Sequence, residues 1–327
     1  MKIEARVYGF IREHGLVGRG DRLLIAVSGG PDSAALFHLL RTLRPRLQCS
    51  LFMAHFDHGL RPGSAADLEF CAALARKHRV PFVSERARLK AGAGEDAARR
   101  ARYDFLARAA GSLSCHAVAV GHQLDDQAET LLLHLLRGSG LQGLAAMRPS
   151  RPLLPGSPVR LVRPLLAESR ADLLAYLAAG RHQWRLDESN LEAKYRRNRL
   201  RLEVMPLLES FNPRLKEALG RLAETAAADH DFLAGAAAGF LAGREREKDY
   251  FSLDAAAFNK LHPALQREAL RRLVSELLGS QHRADYAGIE AARRFCLAAS
   301  GREKTVAGRV RVSRRDGRLL FKAAGER

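Results

Sequence analysis

The sequence predicts an α/β protein in which a parallel sheet is flanked by helices, followed by a second, mainly helical domain that ends in a small β-hairpin. Short apolar runs alternate with segments of helical period from Arg22 to Arg137, the pattern of a parallel sheet with helices on both faces. A turn rich in glycine and hydroxyls, Ser28-Gly29-Gly30-Pro31-Asp32-Ser33, joins the first apolar run to the first long helical segment. Beyond Asn212 the strand-like runs give way to long Ala- and Leu-rich helical periods.

Met1 to Gly15 mixes Lys2, Glu4, Arg6, Arg12 and Glu13 with apolar residues, which suits an amphipathic helix and not a signal peptide. Arg22 to Val27 carries Leu23, Leu24, Ile25 and Val27, a run fit for a strand buried on both faces. Leu36, Leu39, Leu40 and Leu43 recur at helical spacing behind it. Strands follow at Leu51 to Phe56, Val80 to Val83 and Ala117 to Val120, and helices at Asp67 to His78, Glu95 to Ala110 and Gln123 to Arg137. Five prolines between Pro149 and Pro164 suggest a loop running over the surface, and helical pattern resumes at Glu168. Arg181 to Arg201 is dense in arginine. Arg214 to Gly243, Pro263 to Leu278 and Asp285 to Ala299 read as amphipathic helices, and Thr305 to Phe321 as a hairpin turning at Asp316-Gly317. The expected division is residues 1–210 for a catalytic domain and 211–327 for a helical, nucleic-acid-binding one.

Lys and Arg number 54 against 36 Asp and Glu, a net charge of +18 on 327 residues. Such an excess points to a polyanionic partner. Cys49, Cys71, Cys115 and Cys296 form no CxxC pair, which argues against a zinc or iron–sulfur site built from local sequence and suits reduced, buried thiols. No uncharged apolar run reaches the roughly 18 residues of a membrane span. A cytoplasmic location is expected.

In the glycine turn, Gly29 and Gly30 let backbone approach a phosphate, while Ser28, Ser33 and the first N–H groups of the helix supply donors at its positive end. Asp32 among such donors repels phosphate unless a cation intervenes, which points to Mg²⁺ between the two. Read alone, Asp32 and Ser33 would serve equally as helix caps. His55-Phe56-Asp57-His58-Gly59-Leu60-Arg61 leaves the second strand at the same sheet end, where His55 is placed for adenine or ribose. Gly121-His122 opens the segment that carries Asp125, Asp126 and Glu129 in the first turns of a helix. One such carboxylate is explained by the helix dipole; three together could hold Mg²⁺ or take a proton. Gly138-Ser139-Gly140-Leu141-Gln142-Gly143 matches GxGxxG but follows a helix instead of a strand, so it is read as a helix end and loop. Arg99, Arg102 and Tyr103, and further on Arg163, Arg170, Arg196, Arg197 and Arg201, are candidates for phosphate contacts.

This set resembles the tRNA(Ile)-lysidine synthetases, members of the N-type ATP pyrophosphatase (PP-loop) enzymes. The resemblance rests on Ser28 to Ser33, His55 to Arg61, Glu95 with Arg99-Arg102-Tyr103, Gly121 to Thr130, Arg137 to Leu141, Arg163 to Leu166, Asp187-Glu188-Ser189-Asn190 and Arg197-Asn198-Arg199. It implies a Rossmann-like PP-loop fold and ATP-dependent attachment of free L-lysine to C2 of the wobble cytidine in the CAU anticodon of tRNA(Ile), through an adenylated intermediate. It further implies that Ser28, Gly29, Gly30, Asp32 and Ser33, with His55, Arg99, Gly121 and His122, bind ATP, and that Asp32 holds Mg²⁺. Asp32, Asp125, Asp126 and Glu129 are the catalytic candidates, and Arg163, Arg170, Arg197 and Arg201 the tRNA contacts. A homodimer is compatible with it. Longer members carry a further C-terminal domain with no counterpart in this chain. Two alternatives stay open: another AMP-forming PP-loop tRNA modification enzyme, such as a thiolase, and a nucleotide-binding RNA-binding protein without turnover.

Overall fold

The structure, a computed structural model, describes residues 1–59, 64–87, 94–185, 196–246, 250–279, 285–298, 303–306 and 309–324, with backbone alone at Glu95 and Arg196. Leu60-Arg61, Asp187 to Asn190 and the side chains of Glu95 and Arg196, singled out above, lie outside the described residues. Two compact units, Met1–Ala226 and Ala227–Arg327, divide the chain.

The first unit contains α1 (Ile3–Glu13), β1 (Arg22–Ala26), α2 (Pro31–Leu47), β2 (Ser50–Asp57), α3 (Ser64–Lys77), β3 (Phe82–Arg86), α4 (Glu95–Ser112), β4 (Ala117–Ala119) and α5 (Leu124–Leu136). It continues through α6 (Leu141–Leu144), β5 (Ser150–Pro152), β6 (Arg160–Val162), α7 (Arg170–Ala179), α8 (Arg196–Arg199), a π-helical turn at Leu200–Val204, α9 (Met205–Phe211) and the start of α10 (Leu215–Ala242). The boundary between the units falls inside α10. The sheet order is β3-β2-β1-β4-β6-β5, parallel except for β5 against β6. Leu23 and Ile25 pack on one face with Leu36, Leu39 and Leu40, while Leu24 packs on the other with Phe105, Leu106 and Val118. A strand buried on both faces needs apolar residues at consecutive positions, which is why β1 reads as a continuous run and not an alternating one. Chain direction through the sheet reverses between β1 and β4, and a crevice opens at the carboxyl ends of strands where the order switches in this way.

Two expectations change. The segment from Pro149 to Pro164 is not simply a surface loop: its ends pair as β5 and β6, β6 lies parallel to β4 with Ala119 opposite Val162, and Leu161 and Val162 are buried. Prolines are tolerated because Pro152 sits on the outermost strand, where a missing N–H costs no ladder bond, and Pro155 and Pro158 fall in the intervening turn. The third strand runs over Phe82–Arg86 instead of Val80 to Val83. Arg79 takes a left-handed φ of 53° and Val80 N–H bonds Ala75 O, so Val80 closes α3 and does not start the strand.

The second unit holds the rest of α10, β7 (Glu245–Arg246), β8 (Tyr250–Asp254), α11 (Ala255–Lys260), α12 (Pro263–Leu278), α13 (Tyr286–Leu297), β9 (Lys304–Val306), β10 (Val310–Arg315) and β11 (Arg318–Ala323). The expected hairpin is β10–β11, turning at Asp316 and Gly317, but it belongs to a five-stranded antiparallel sheet ordered β7-β8-β11-β10-β9. Phe251, Leu253, Val312, Leu319 and Phe321 from that sheet pack with Leu270, Leu273 and Ile289 from the helices. Among the described residues, no helix is long and apolar enough to cross a membrane.

The assignment of β6 to the core has a direct test. Leu161→Ala should cost about 2–5 kcal/mol in urea unfolding followed by circular dichroism, the range for deleting a buried leucine side chain. A surface loop would lose less than about 0.5 kcal/mol.

Candidate active site

Backbone and side-chain contacts shape the turn after β1. Ser33 Oγ accepts from Ser28 N–H at 3.1 Å and donates to Gly30 O at 2.9 Å, and Ser28 Oγ lies 3.2 Å from it. Gly29 has a φ of 92°, which favours glycine, and its carbonyl accepts from Arg185 N–H at 2.9 Å. Gly30 then caps α2 with Pro31 in its first turn, leaving the helix N-terminus free of a side-chain cap. Gly121, after β4, meets this turn across the switch point: a Cβ there would stand 3.0 Å from both the carbonyl carbon and the oxygen of Asp32. Only glycine permits that approach without a backbone shift.

The expected nucleotide residues are therefore together, with different tasks. Ser33 braces the turn internally. His55, 4% exposed, bonds Val27 O through Nδ1 at 2.9 Å and so fixes the end of β1. His122 Nδ1 accepts from Arg163 Nε at 3.1 Å, and since an arginine nitrogen only donates, its Nε2 carries the proton of the neutral ring. Burial, reinforced by Arg163 and neighbouring guanidiniums, pushes the His122 imidazole well below its ordinary range. Arg99 lies over the ring of Tyr103 at 5.0 Å, beside Arg102 and Arg151.

Asp32 is weakly paired. Its Oδ2 lies 3.5 Å from Arg170 Nη1, and Oδ1 is buried without a hydrogen-bond partner among the described residues. Burial pushes its carboxyl up to about 6, against the pull of Arg170. A buried carboxylate oxygen without a partner among the described residues is a donor that a hard divalent cation takes, so Asp32 fits Mg²⁺.

The three carboxylates of α5 are held differently. Gln123 and Asp126 form a capping box: Gln123 N–H donates to Asp126 Oδ2 at 3.2 Å and Asp125 N–H to Gln123 Oε1 at 2.5 Å. Arg197 bridges Asp126 Oδ1 and Glu129 Oε2 at 2.8 Å each, and Arg201 Nε bonds Glu129 Oε1 at 2.7 Å. Glu129 is 2% exposed, and the two guanidiniums give this buried carboxylate its charged partners. Asp125 accepts from Arg170 N–H at 3.1 Å and pairs with Lys216 Nζ at 2.7 Å, which also reaches Glu209 at 2.9 Å. Burial raises the Asp126 carboxyl, opposed by Arg197. A cavity of about 240 Å³ opens here, lined by Gln123, Asp125, Glu129, Arg170, Arg201 and Lys216 among others.

Of the expected RNA contacts, Arg197 and Arg201 thus turn to these carboxylates, the Arg170 guanidinium lies by Asp32, and Arg163 is 3% exposed and bonds Arg148 O at 2.6 Å. Arg185, Lys216 and Glu209 were not anticipated. Gln123 was legible as a cap, standing three residues before Asp126; nothing local marks Lys216. The GxGxxG stretch ends α5, with Gly138 left-handed at 71°, and Gly140 caps α6.

A twisted parallel sheet with this turn at its switch point defines a nucleotide-binding protein of the PP-loop class, and residues 2–208 match the PP-loop domain family. The tRNA(Ile)-lysidine synthase of Gloeobacter violaceus is 42% identical over 292 residues, which cover 89% of this chain and 87% of that protein. That of Dehalococcoides mccartyi is 39% identical over 284 residues, covering 84% of this chain and 60% of the relative. The chain belongs to the tRNA(Ile)-lysidine synthase family. It spans 60% of the length of the Dehalococcoides protein. Among solved structures, the U34-tRNA thiolase NcsA from Methanococcus maripaludis shares the fold, with a TM-score of 0.56 at 15% identity over 68% of this chain and 79% of that one.

Because its folded pKa is raised above the unfolded value near 3.9, Asp32 binds its proton more tightly when folded, and stability falls as pH rises between about 4 and 6. Without metal or nucleotide, Asp32→Asn should therefore be more stable than the parent at pH 7 by about 3 kcal/mol, and most of the difference should be gone near pH 4. Urea titrations in chelator across that range check it; a difference independent of pH removes burial of the charge as its cause.

Proposed function

We propose that this protein makes lysidine: it uses ATP to join the ε-amine of free L-lysine to C2 of the wobble cytidine in a CAU-anticodon tRNA(Ile). The observation that supports this most is the juxtaposition of an anion-binding turn carrying the unpartnered Asp32 with a cavity lined by three carboxylates and two guanidiniums. In the first step the cytidine O2 attacks the α-phosphorus of ATP, and the α–β bridging bond breaks to release pyrophosphate. The turn from Ser28 to Ser33 and the free N-terminus of α2 receive the pyrophosphate portion. Asp32 would hold Mg²⁺, which spreads the negative charge of the phosphates.

In the second step the lysine nitrogen bonds to C2, the C2–O bond breaks, and AMP leaves. The cavity beside α5 suits the amino acid, with Arg170, only weakly held by Asp32 at 3.5 Å, left for a carboxylate and the acidic residues for an ammonium. An ε-ammonium with a pKa near 10.4 must lose a proton before it attacks. Asp126, whose carboxyl burial raises, is the best acceptor of the three on α5. The excess of basic residues supports an RNA partner, and the helical second unit is the region we assign to grip it. A cytoplasmic location accords with that chemistry. The thiolating alternative finds no support in the cysteines: all four are buried, and burial pushes Cys71 and Cys296 up to about 12.

Protein incubated with ATP, Mg²⁺, labelled lysine and a CAU-anticodon tRNA(Ile) transcript should incorporate label and form AMP and pyrophosphate in equal amounts, and tRNA(Met) should stay unlabelled. ADP and orthophosphate as products would reject the proposal. With preformed adenylated tRNA, Asp126→Asn should slow single-turnover lysine transfer about 10²-fold or more while leaving adenylation near the parent rate. An unchanged transfer rate assigns Asp126 to capping alone.

A further inference from the structure

Tyr103 on α4 is 5% exposed, and its hydroxyl is buried without a hydrogen-bond partner among the described residues. Around its ring stand the guanidinium carbons of Arg99 at 5.0 Å, Arg151 at 5.2 Å and Arg102 at 5.3 Å, and the buried Arg163 adds a fourth positive charge. Their charges draw the Tyr103 hydroxyl below its ordinary range against the effect of burial, while burial lowers Arg163 to about 10. The contrast with α5 is informative. There every guanidinium is matched to a carboxylate; here, among the described residues, no ion pair joins Arg99, Arg102, Arg151 or Arg163 to one. Arg102 Nε is likewise buried without a partner. Four like charges converge from α4, β5 and the end of β6 with no carboxylate paired to them among the described residues, an arrangement that an anion stabilises, and forked guanidiniums match the oxygens of a phosphate.

We propose that the Tyr103 cage is a phosphate-binding site separate from the glycine turn, with Arg99, Arg102 and Arg151 as its charged walls and the Tyr103 hydroxyl as a donor. It lies within reach of the turn, since Arg163 bonds His122 and the adjoining Gly121 abuts Asp32. Its occupant is a phosphate of ATP or a backbone phosphate of the RNA. In taking those two sources the inference rests on the function proposed above; the demand for an anion does not.

Ultraviolet titration of the parent minus Tyr103→Phe isolates the ionisation of this one hydroxyl. In the ligand-free protein it should ionise below the remaining tyrosines, and saturating inorganic pyrophosphate should move its midpoint upward by about one pH unit as the guanidiniums are neutralised. Arg102→Ala and Arg151→Ala should each weaken pyrophosphate about tenfold in calorimetry, with Arg102→Lys intermediate. Mg²⁺ with a non-hydrolysable ATP analogue, and separately a CAU anticodon stem-loop, then identify the source: whichever moves the Tyr103 midpoint supplies the phosphate. If analogue and stem-loop both bind but neither they nor pyrophosphate move it, the cage is refuted while the lysidine proposal stands. If neither binds, the lysidine proposal fails, and a pyrophosphate shift would still uphold the cage.

Discussion

Charge compensation at the start of α5 governs how the chain is arranged around the sheet. Glu129 is almost fully buried at the switch-point end of a parallel sheet, and a carboxylate can stay ionised there only if cations are brought to it. Arg197 and Arg201 arrive from a segment far along the chain, so that helices which share little apolar contact with the sheet are nonetheless drawn to its carboxyl end. Lys216 extends the same attachment to Asp125 and to α10. Breaking one of these pairs leaves a buried charge without its counter-ion, which makes the network costly to disturb and well suited to keep a cavity open.

Two clusters of opposite character therefore flank the nucleotide turn. On the α5 side acids and bases cancel, and the residues left for chemistry are those whose partners are weak or missing, above all Asp32. Around Tyr103 positive charge is left over. Unlike charges in low dielectric attract and like charges repel strongly, so the two clusters favour ligands of different charge.

The sheet, its parallel sense and the turn at its first strand were legible because each is written locally: a run of Leu23, Leu24 and Ile25, a leucine repeat in α2, and a glycine, Gly29, at a left-handed φ. The three acidic residues of α5 were legible as a group, but their partners were not, since ion pairing between Glu129 and Arg201 depends on tertiary folding across 72 positions. β6 was hidden by its shortness, as three residues carry no period, and prolines around it resembled a loop. Tyr250–Asp254 escaped notice for a similar reason, standing between two strong helical patterns in a unit whose sheet is assembled from non-adjacent pieces. The partners of the arginines were not legible either: Arg163 is buried, and Arg197 and Arg201 pair with Asp126 and Glu129.

The same short strands decide how the protein behaves when many copies crowd together. On one flank of the sheet β5 ends in Pro152, which offers no N–H to an incoming chain; on the other, β3 exposes Ser84, Glu85 and Arg86. A proline and a charged border both discourage strand addition. These borders act over the range of a hydrogen bond, so they guard the sheet of the first unit even where salt screens the protein's net charge.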